Sequence, residues 1–176
     1  MSNNYWEDVY QSKQPEQVSW YQQQAEKTLE LIRSQNLSLD AELIDVGSGA
    51  SLLIDQLIEA GYKNLHVLDL SETALKTTHA RLIDKGLDAR HIQWQVADIC
   101  TVELEAQRFD LWHDRAVFHF MVKEEQQAQY LQNVRHALKP NGVLIISTFA
   151  EDGPTQCSGL PVERYSVEKL VQSAHM

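Results

Sequence analysis

The stretch Leu43-Ile44-Asp45-Val46-Gly47-Ser48-Gly49-Ala50-Ser51 decides the fold of this chain. Its first part, Glu42 to Val46, reads as a short buried strand, and the run stops at two glycines separated by a serine. Beyond them Leu52, Leu53, Leu57 and Ile58 recur at helical steps until Gly61. A strand, a glycine turn and a helix open an α/β sheet, whose ligands bind beyond the carboxyl ends of the strands. Gly47 and Gly49 carry no side chain to keep a ligand away from the backbone.

The same alternation runs outward on both sides. Upstream, Val18, Tyr21, Ala25, Leu29 and Ile32 mark one amphipathic helix over Pro15 to Gln35. Downstream, Leu65 to Leu70 is a second strand, and Ser71 is placed to cap a helix through Ala74, Leu75, Thr78 and Leu82 that stops at Gly86. Ile92 to Val96 and Phe109 to Trp112 read as strands three and four. Glu124 to Leu138 is helical, Lys139-Pro140-Asn141-Gly142 ends it with turn chemistry, and Val143 to Phe149 is strand five. Glu151 to Pro161 is a turn-rich loop, and a last helix begins near Ser166. Strands alternating with helices predict an open, doubly wound, mainly parallel sheet with helices on both faces. One domain is expected over residues 1–176, a helical cap over 1–40 and an α/β core over 41–176.

The strand ends carry carboxylates: Asp45 before the glycine turn, Asp69-Leu70 after strand two, Ala97-Asp98-Ile99 after strand three, and His113-Asp114-Arg115 after strand four. An acid twenty residues beyond Gly49 stands where a ribose diol would be gripped. A pyrophosphate would meet Asp45 and Asp98 with no nearby base, and Leu52 occupies the position where a dinucleotide fingerprint needs Gly or Ala. A cationic or zwitterionic nucleoside without phosphates suits these ends, and S-adenosylmethionine is such a ligand.

Composition narrows the partners. Twenty-five acidic side chains against fifteen basic ones give a net charge of −10. No Lys/Arg cluster could neutralise a phosphate backbone, so nucleic acid is not expected as a partner. No run approaches the ~20 apolar residues that cross a bilayer, and the first ten residues lack the basic flank and apolar run of a targeting peptide. A cytoplasmic location and no membrane partner are expected. Cys100 and Cys157 form no CxxC pair, and His113, Asp114 and His119 bring no third imidazole, so no metal is expected.

Taken jointly, three motifs resemble the class I S-adenosylmethionine-dependent methyltransferase family over about Trp20 to Tyr165. The segment LIDVGSGAS is similar to its first motif, with Ser51 where a third glycine is usual. The segment Trp112 to Met121, WHDRAVFHFM, with Trp6-Glu7-Asp8-Val9-Tyr10 and Val18-Ser19-Trp20-Tyr21, is similar to a group of small, mostly uncharacterised bacterial methyltransferases. Asp114-Arg115-Ala116 resembles, less closely, an Asp-Lys-Gly turn of certain protein-lysine methyltransferases. No Asn-Pro-Pro-Tyr or Asp-Pro-Pro-Tyr segment follows strand four, unlike the enzymes that methylate amino groups of nucleic-acid bases. The resemblance implies a Rossmann-like methyltransferase sheet that takes S-adenosylmethionine and releases S-adenosylhomocysteine. By it Asp69, with Leu70, would bind the ribose hydroxyls, and Asp98 the adenine amino group with Ala97 and Ile99 alongside. Gly47, Ser48 and Gly49 would pack on the methionine part, Asp45 would act through that loop or on the amino group, and Ser51, Asp114 and Arg115 would complete the cofactor-binding set.

A methyl acceptor, a small molecule or a protein side chain, would be held in line with the donor in a dry site. Acceptors of high pKa need a base, and His113, Asp114 and His119 are the candidates by location. Of the rings before the first strand, Tyr10, Trp20 and Tyr21 are expected to cover the ligand face or to staple the N-terminal helix to the sheet. Cys157 and Ser158 are expected in the acceptor pocket. A non-catalytic nucleoside-binding protein and a nicotinamide-dependent oxidoreductase remain as rival readings. The family usually ends with an antiparallel hairpin that completes the sheet, and after Val162 only one helix is legible, so strand five should have an open edge. Either Met176 cuts a longer chain, or that edge is covered by the preceding loop or by self-association.

Overall fold

In the computed structural model, which describes residues 3–13 and 25–175, the expected alternation is present. The elements are α1 (Asn3–Ser12), α2 (Glu26–Ser34), β1 (Glu42–Val46), α3 (Leu53–Glu59), β2 (Asn64–Asp69), α4 (Glu72–Asp84) and β3 (Ile92–Val96). They continue as β4 (Phe109–Arg115), a 3-10 turn (Phe118–Phe120), α5 (Glu124–Ala137), β5 (Leu138–Ser147), β6 (Gln156–Cys157), β7 (Leu160–Pro161) and α6 (Val167–His175). The strand order is β3-β2-β1-β4-β5, with every pairing parallel. The chain therefore leaves β1 in one direction to build β2 and β3, and resumes on its other side with β4. The order reverses between β1 and β4, and their carboxyl ends flank the crevice where such sheets bind ligands.

Side-chain alternation divides the core into two layers. Leu43 and Leu111 face one side, where Leu29 and Ile32 of α2, Leu53 and Leu57 of α3, and Leu75 and Leu82 of α4 cover them. Ile44, Val46 and Trp112 face the other, beneath Tyr130, Leu131 and Val134 of α5 and Leu170 of α6. Both faces of β1 and β4 are thus sealed, which is why adjacent residues such as Leu43-Ile44 and Leu111-Trp112 are both apolar.

Three local features differ from the sequence reading. The amphipathic pattern from Pro15 appears as α2 from Glu26; its earlier part, with Val18, Trp20 and Tyr21, lies outside the described residues. A helix unmarked by apolar periodicity, α1, forms over Asn3–Ser12. The turn at Lys139–Gly142 is drawn into β5 as an irregularity: Phe109 pairs with Leu138 but Leu111 with Val143, and Asn141 takes φ +64°.

The segment expected as a strandless loop, Glu151 to Pro161, carries a small antiparallel ladder that pairs Gln156 with Pro161 and Cys157 with Leu160. The missing-hairpin expectation is corrected to this extent: a hairpin exists, but it is two residues a side and forms its own sheet. It leaves β5 beside β4 alone among the described residues. No helix among them is long and apolar enough to cross a membrane, and no group of three His, Cys, Asp or Glu could hold a metal ion.

Candidate active site

The glycine turn is built to lie flat. Gly47 and Gly49 have φ +65° and +56°, a region costly for residues with a Cβ. A Cβ on Gly47 would stand 2.0 Å from Val117 Cγ2, and one on Gly49 2.2 Å from Tyr10 Oη. Ser51 is outside this region, which explains why a serine replaces a third glycine, and its Oγ accepts the N–H of Leu53 at 3.0 Å to start α3. From α4, Thr78 Oγ1 donates to Gly49 O, and Arg81 donates to Ala50 O and Ser51 O while pairing with Asp55. Burial pushes the Asp55 carboxyl up, but Arg81 and Lys85 overcome it and hold it below the usual range. Thr78 and Arg81 were invisible as site supports, because they stand on a surface helix some thirty residues from the carbonyls they brace.

Beyond this turn lies a cleft of about 700 Å³, floored by Val46 and Leu68. Asp69 enters it from β2. Its Oδ2 accepts the Gly49 N–H and its Oδ1 the Ser71 N–H, both at 2.8 Å. Burial, with Asp45 adding repulsion, outweighs those bonds and raises its pKa to about 6. Leu70, Ala97, Ile99 and Met121 line the adjoining space with Asp98, whose Oδ1 accepts the Cys100 N–H at 2.9 Å. Burial, then Asp98, pushes the Cys100 thiol up to about 11.

Arg115, Ala116 and Val117 form the opposite wall, and Cys157 of the small hairpin reaches the cleft from the far rim. Trp6 and Tyr10 of α1 cover it, with Trp6 edge-on to Phe120 at 5.2 Å.

Several predicted residues stand elsewhere. β4 continues to Arg115, three residues past the expected end, so His113 and Asp114 point to opposite faces of the sheet. Buried His113 meets Asp45 across the strands, Nδ1 to Oδ1 at 2.6 Å, in the α2/α3 layer. Asp114 accepts the Val117 and Phe118 N–H groups at 2.8 and 2.9 Å and the Tyr130 hydroxyl at 2.5 Å, and Trp112 Nε1–H donates to that hydroxyl. Burial raises the Asp114 pKa to about 6 against these bonds. His119 is fully buried beside Phe120 and Phe149, and burial lowers its pKa to about 4, so it is neutral. Asp45, Ser48, Gly49, Ser51 and these three tentative bases surround the cleft without lining it, Gly49 lying under Tyr10. Ser158 contributes its carbonyl, which accepts the Tyr5 hydroxyl. Trp20 and Tyr21 fall outside the described residues.

A glycine turn that brings the backbone of Gly47 to the cleft, a buried carboxylate at the end of β2 and a second acid in an apolar slot suit a phosphate-free nucleoside. The sequence profile of the family described as Methyltransferase domain matches residues 43–142, which carry all three. The chain belongs to this methyltransferase family. Its cofactor is S-adenosylmethionine. The chain is 28% identical over 135 residues to zebrafish (Danio rerio) EEF1A lysine methyltransferase 2, covering 73% of this chain and 57% of that protein.

Among solved structures, one from work on converting a disulfide bond into a thioacetal group during echinomycin biosynthesis superposes with TM-score 0.75 at 18% identity. That match covers 99% of this methyltransferase chain and 77% of the other. Haemonchus contortus phosphoethanolamine N-methyltransferase 2, solved with phosphomonomethylethanolamine and S-adenosylhomocysteine, matches with TM-score 0.69 at 20% identity over 86% of this chain and 36% of that one. The chain spans a little over half the length of the curated relative. The solved structures, at these identities, speak for the fold.

Proposed function

We propose that this chain is a class I methyltransferase that passes the methyl group of S-adenosylmethionine to a small molecule or a protein side chain. The observation that carries the reading is the Asp69 carboxylate, presented in the cleft and fixed to the backbone of Gly49 at the switch point of the sheet. Asp69 would hold the ribose hydroxyls and Asp98 the adenine amino group between Leu70, Ala97 and Ile99. Gly47 and Gly49 would admit the methionine part to the backbone, beside Arg115 and Ala116. The cofactor supplies an electrophilic methyl on a sulfonium.

What the chain adds is alignment and exclusion of water: Val117, Phe120 and Met121 wall the cleft and Trp6 and Tyr10 roof it. The acceptor enters beside Cys157. The named relatives act on a lysine and on a phosphorylated ethanolamine, so both protein and small-molecule acceptors suit the family. In keeping with the acidic charge we assign no nucleic-acid or membrane partner, a cytoplasmic site and a single domain over residues 1–176.

Calorimetry with S-adenosylhomocysteine and NAD tests the assignment: the first binds and the second does not. Binding of NAD alone would restore the oxidoreductase. A labelled-methyl screen over separated protein and small-molecule extract fractions identifies the acceptor, and an absence of transfer with retained binding would leave a nucleoside-binding protein.

A further inference from the structure

We propose that Glu7 is a positioning residue that latches α1 over the cleft and thereby sets the rate of cofactor exchange. The inference rests on the cofactor reading of that cleft.

Helix α1 is tied down at both rims. On one, the Glu7 carboxylate takes the Ser71 hydroxyl at 2.7 Å, the Thr73 N–H at 3.2 Å and the Thr73 hydroxyl, so it sits on the open N–H groups that begin α4. On the other, the Tyr5 hydroxyl donates to the Ser158 carbonyl of the small hairpin. Trp6 and Tyr10, between and beyond these ties, reach into the cleft, and Tyr10 Oη lies over Gly49. A ligand seated against Gly47 and Asp69 in the cleft therefore meets α1 on its way out.

Ser71 joins the latch to the site. Its N–H donates to Asp69, its hydroxyl donates to Glu7, and the same hydroxyl accepts the Ala74 N–H as the cap of α4. Gly49, Asp69, Ser71 and Glu7 are consecutive partners in one hydrogen-bonded chain from cradle to roof. Whatever engages Asp69 presses on the residue that holds α1 shut. Glu7 itself reaches none of the reacting atoms, so its effect passes through Trp6 and Tyr10.

Release of S-adenosylhomocysteine, chased with excess unlabelled ligand, reads the latch directly. Glu7→Ala should speed release about tenfold, as expected for losing hydrogen bonds to a charged group. Glu7→Gln should fall between, since its amide keeps one accepting oxygen. Thr73→Val should act in the same direction and add little to Glu7→Ala, because the hydroxyl contact it removes is one of the three that Glu7→Ala already breaks. Asp8→Ala, on the exposed side of α1, should leave release unchanged. Release from Glu7→Ala at the wild-type rate, or an equal effect of Asp8→Ala, would overturn the latch.

Amide exchange across residues 5–12 of the ligand-free protein gives an independent reading: it should quicken in Glu7→Ala, and unchanged exchange refutes the latch whatever the cleft binds. Failure of the wild type to bind the nucleoside, with exchange still quickened, would instead refute the cofactor assignment.

Discussion

Asp69 Oδ2 accepts the backbone N–H of Gly49 at 2.8 Å across twenty residues of sequence, so the acid at the end of β2 is a strut of the glycine turn. The same carboxylate lines the cleft, and burial keeps its pKa near about 6. Support of the turn and the proposed recognition of a diol would thus fall to one group whose raised pKa brings its change of charge toward neutrality.

Hydroxyl donors favour the ionised carboxylate, so nucleoside binding should depend on pH. Affinity for S-adenosylhomocysteine should rise as pH climbs through about 6 and level off near neutrality, falling up to about tenfold per unit below it. Asp69→Asn should remove the slope and weaken binding by about 1–3 kcal/mol, the cost of hydroxyls left without a charged acceptor. Calorimetry at several pH values checks both, and a flat wild-type profile would contradict the ribose assignment.

Asp114 should shape stability instead. Its folded pKa, about 6, lies above the ordinary 3.8, so its contribution is full below the lower value and is lost as pH rises through the upper one. Asp114→Asn should gain on the wild type between about pH 4 and about pH 7 in urea melts. Tyr130→Phe should cost about 1–3 kcal/mol at either pH, because Trp112 Nε1–H loses a buried acceptor. A constant gap between wild type and Asp114→Asn would refute the titration.

Ala116 is a non-glycine residue at φ +71° on the cleft wall. Relief of that conformation by Ala116→Gly should stabilise the fold by about 0.5–1 kcal/mol after the entropy of the added freedom, and Ala116→Val should destabilise it. Thermal melts decide; a loss in Ala116→Gly would show that the methyl group packs usefully.

Gly49→Ala should cost about 1–2 kcal/mol from its φ alone and further displace Tyr10, whose Oη would lie 2.2 Å from the new Cβ. Adding Tyr10→Phe removes that atom and leaves Cζ at 3.2 Å, so the double variant should recover part of the lost nucleoside affinity but not the backbone strain. Additive losses would separate Tyr10 from the turn.

The sheet was legible because the cores of β1 and β4, Leu43-Ile44 and Leu111-Trp112, are buried on both faces and apolar, while glycines and the Ser71 cap punctuate the elements between them. The cleft acids were legible from their position: Asp69 ends the second strand and Asp98 stands two residues past the third, both at the carboxyl rim of the sheet. The placement of His113 and Asp114 was not legible. Strand four extends through polar residues that the run of apolar side chains does not announce, and one further strand residue sends a side chain to the opposite face. Helix α1 was hidden because its partners are few and specific, Glu7 with Ser71 and Thr73 and Trp6 with Phe120, rather than a periodic stripe. Arg81 was missed because a salt bridge across two helices leaves no spacing to read.

The two thiols of this chain have unequal chemistry. Cys100 is held protonated, its sulfur 3.4 Å from that of Met121 behind the cleft wall, whereas Cys157 lines the cleft itself. A maleimide dye should therefore spare Cys100, whose thiol is pushed up to about 11, and attach at Cys157 on the cleft rim. The dye would stand next to Ser158, where Tyr5 is anchored. The sequence thus offers a single-site optical probe at the hairpin end of the roof, placed to report on the proposed release of α1.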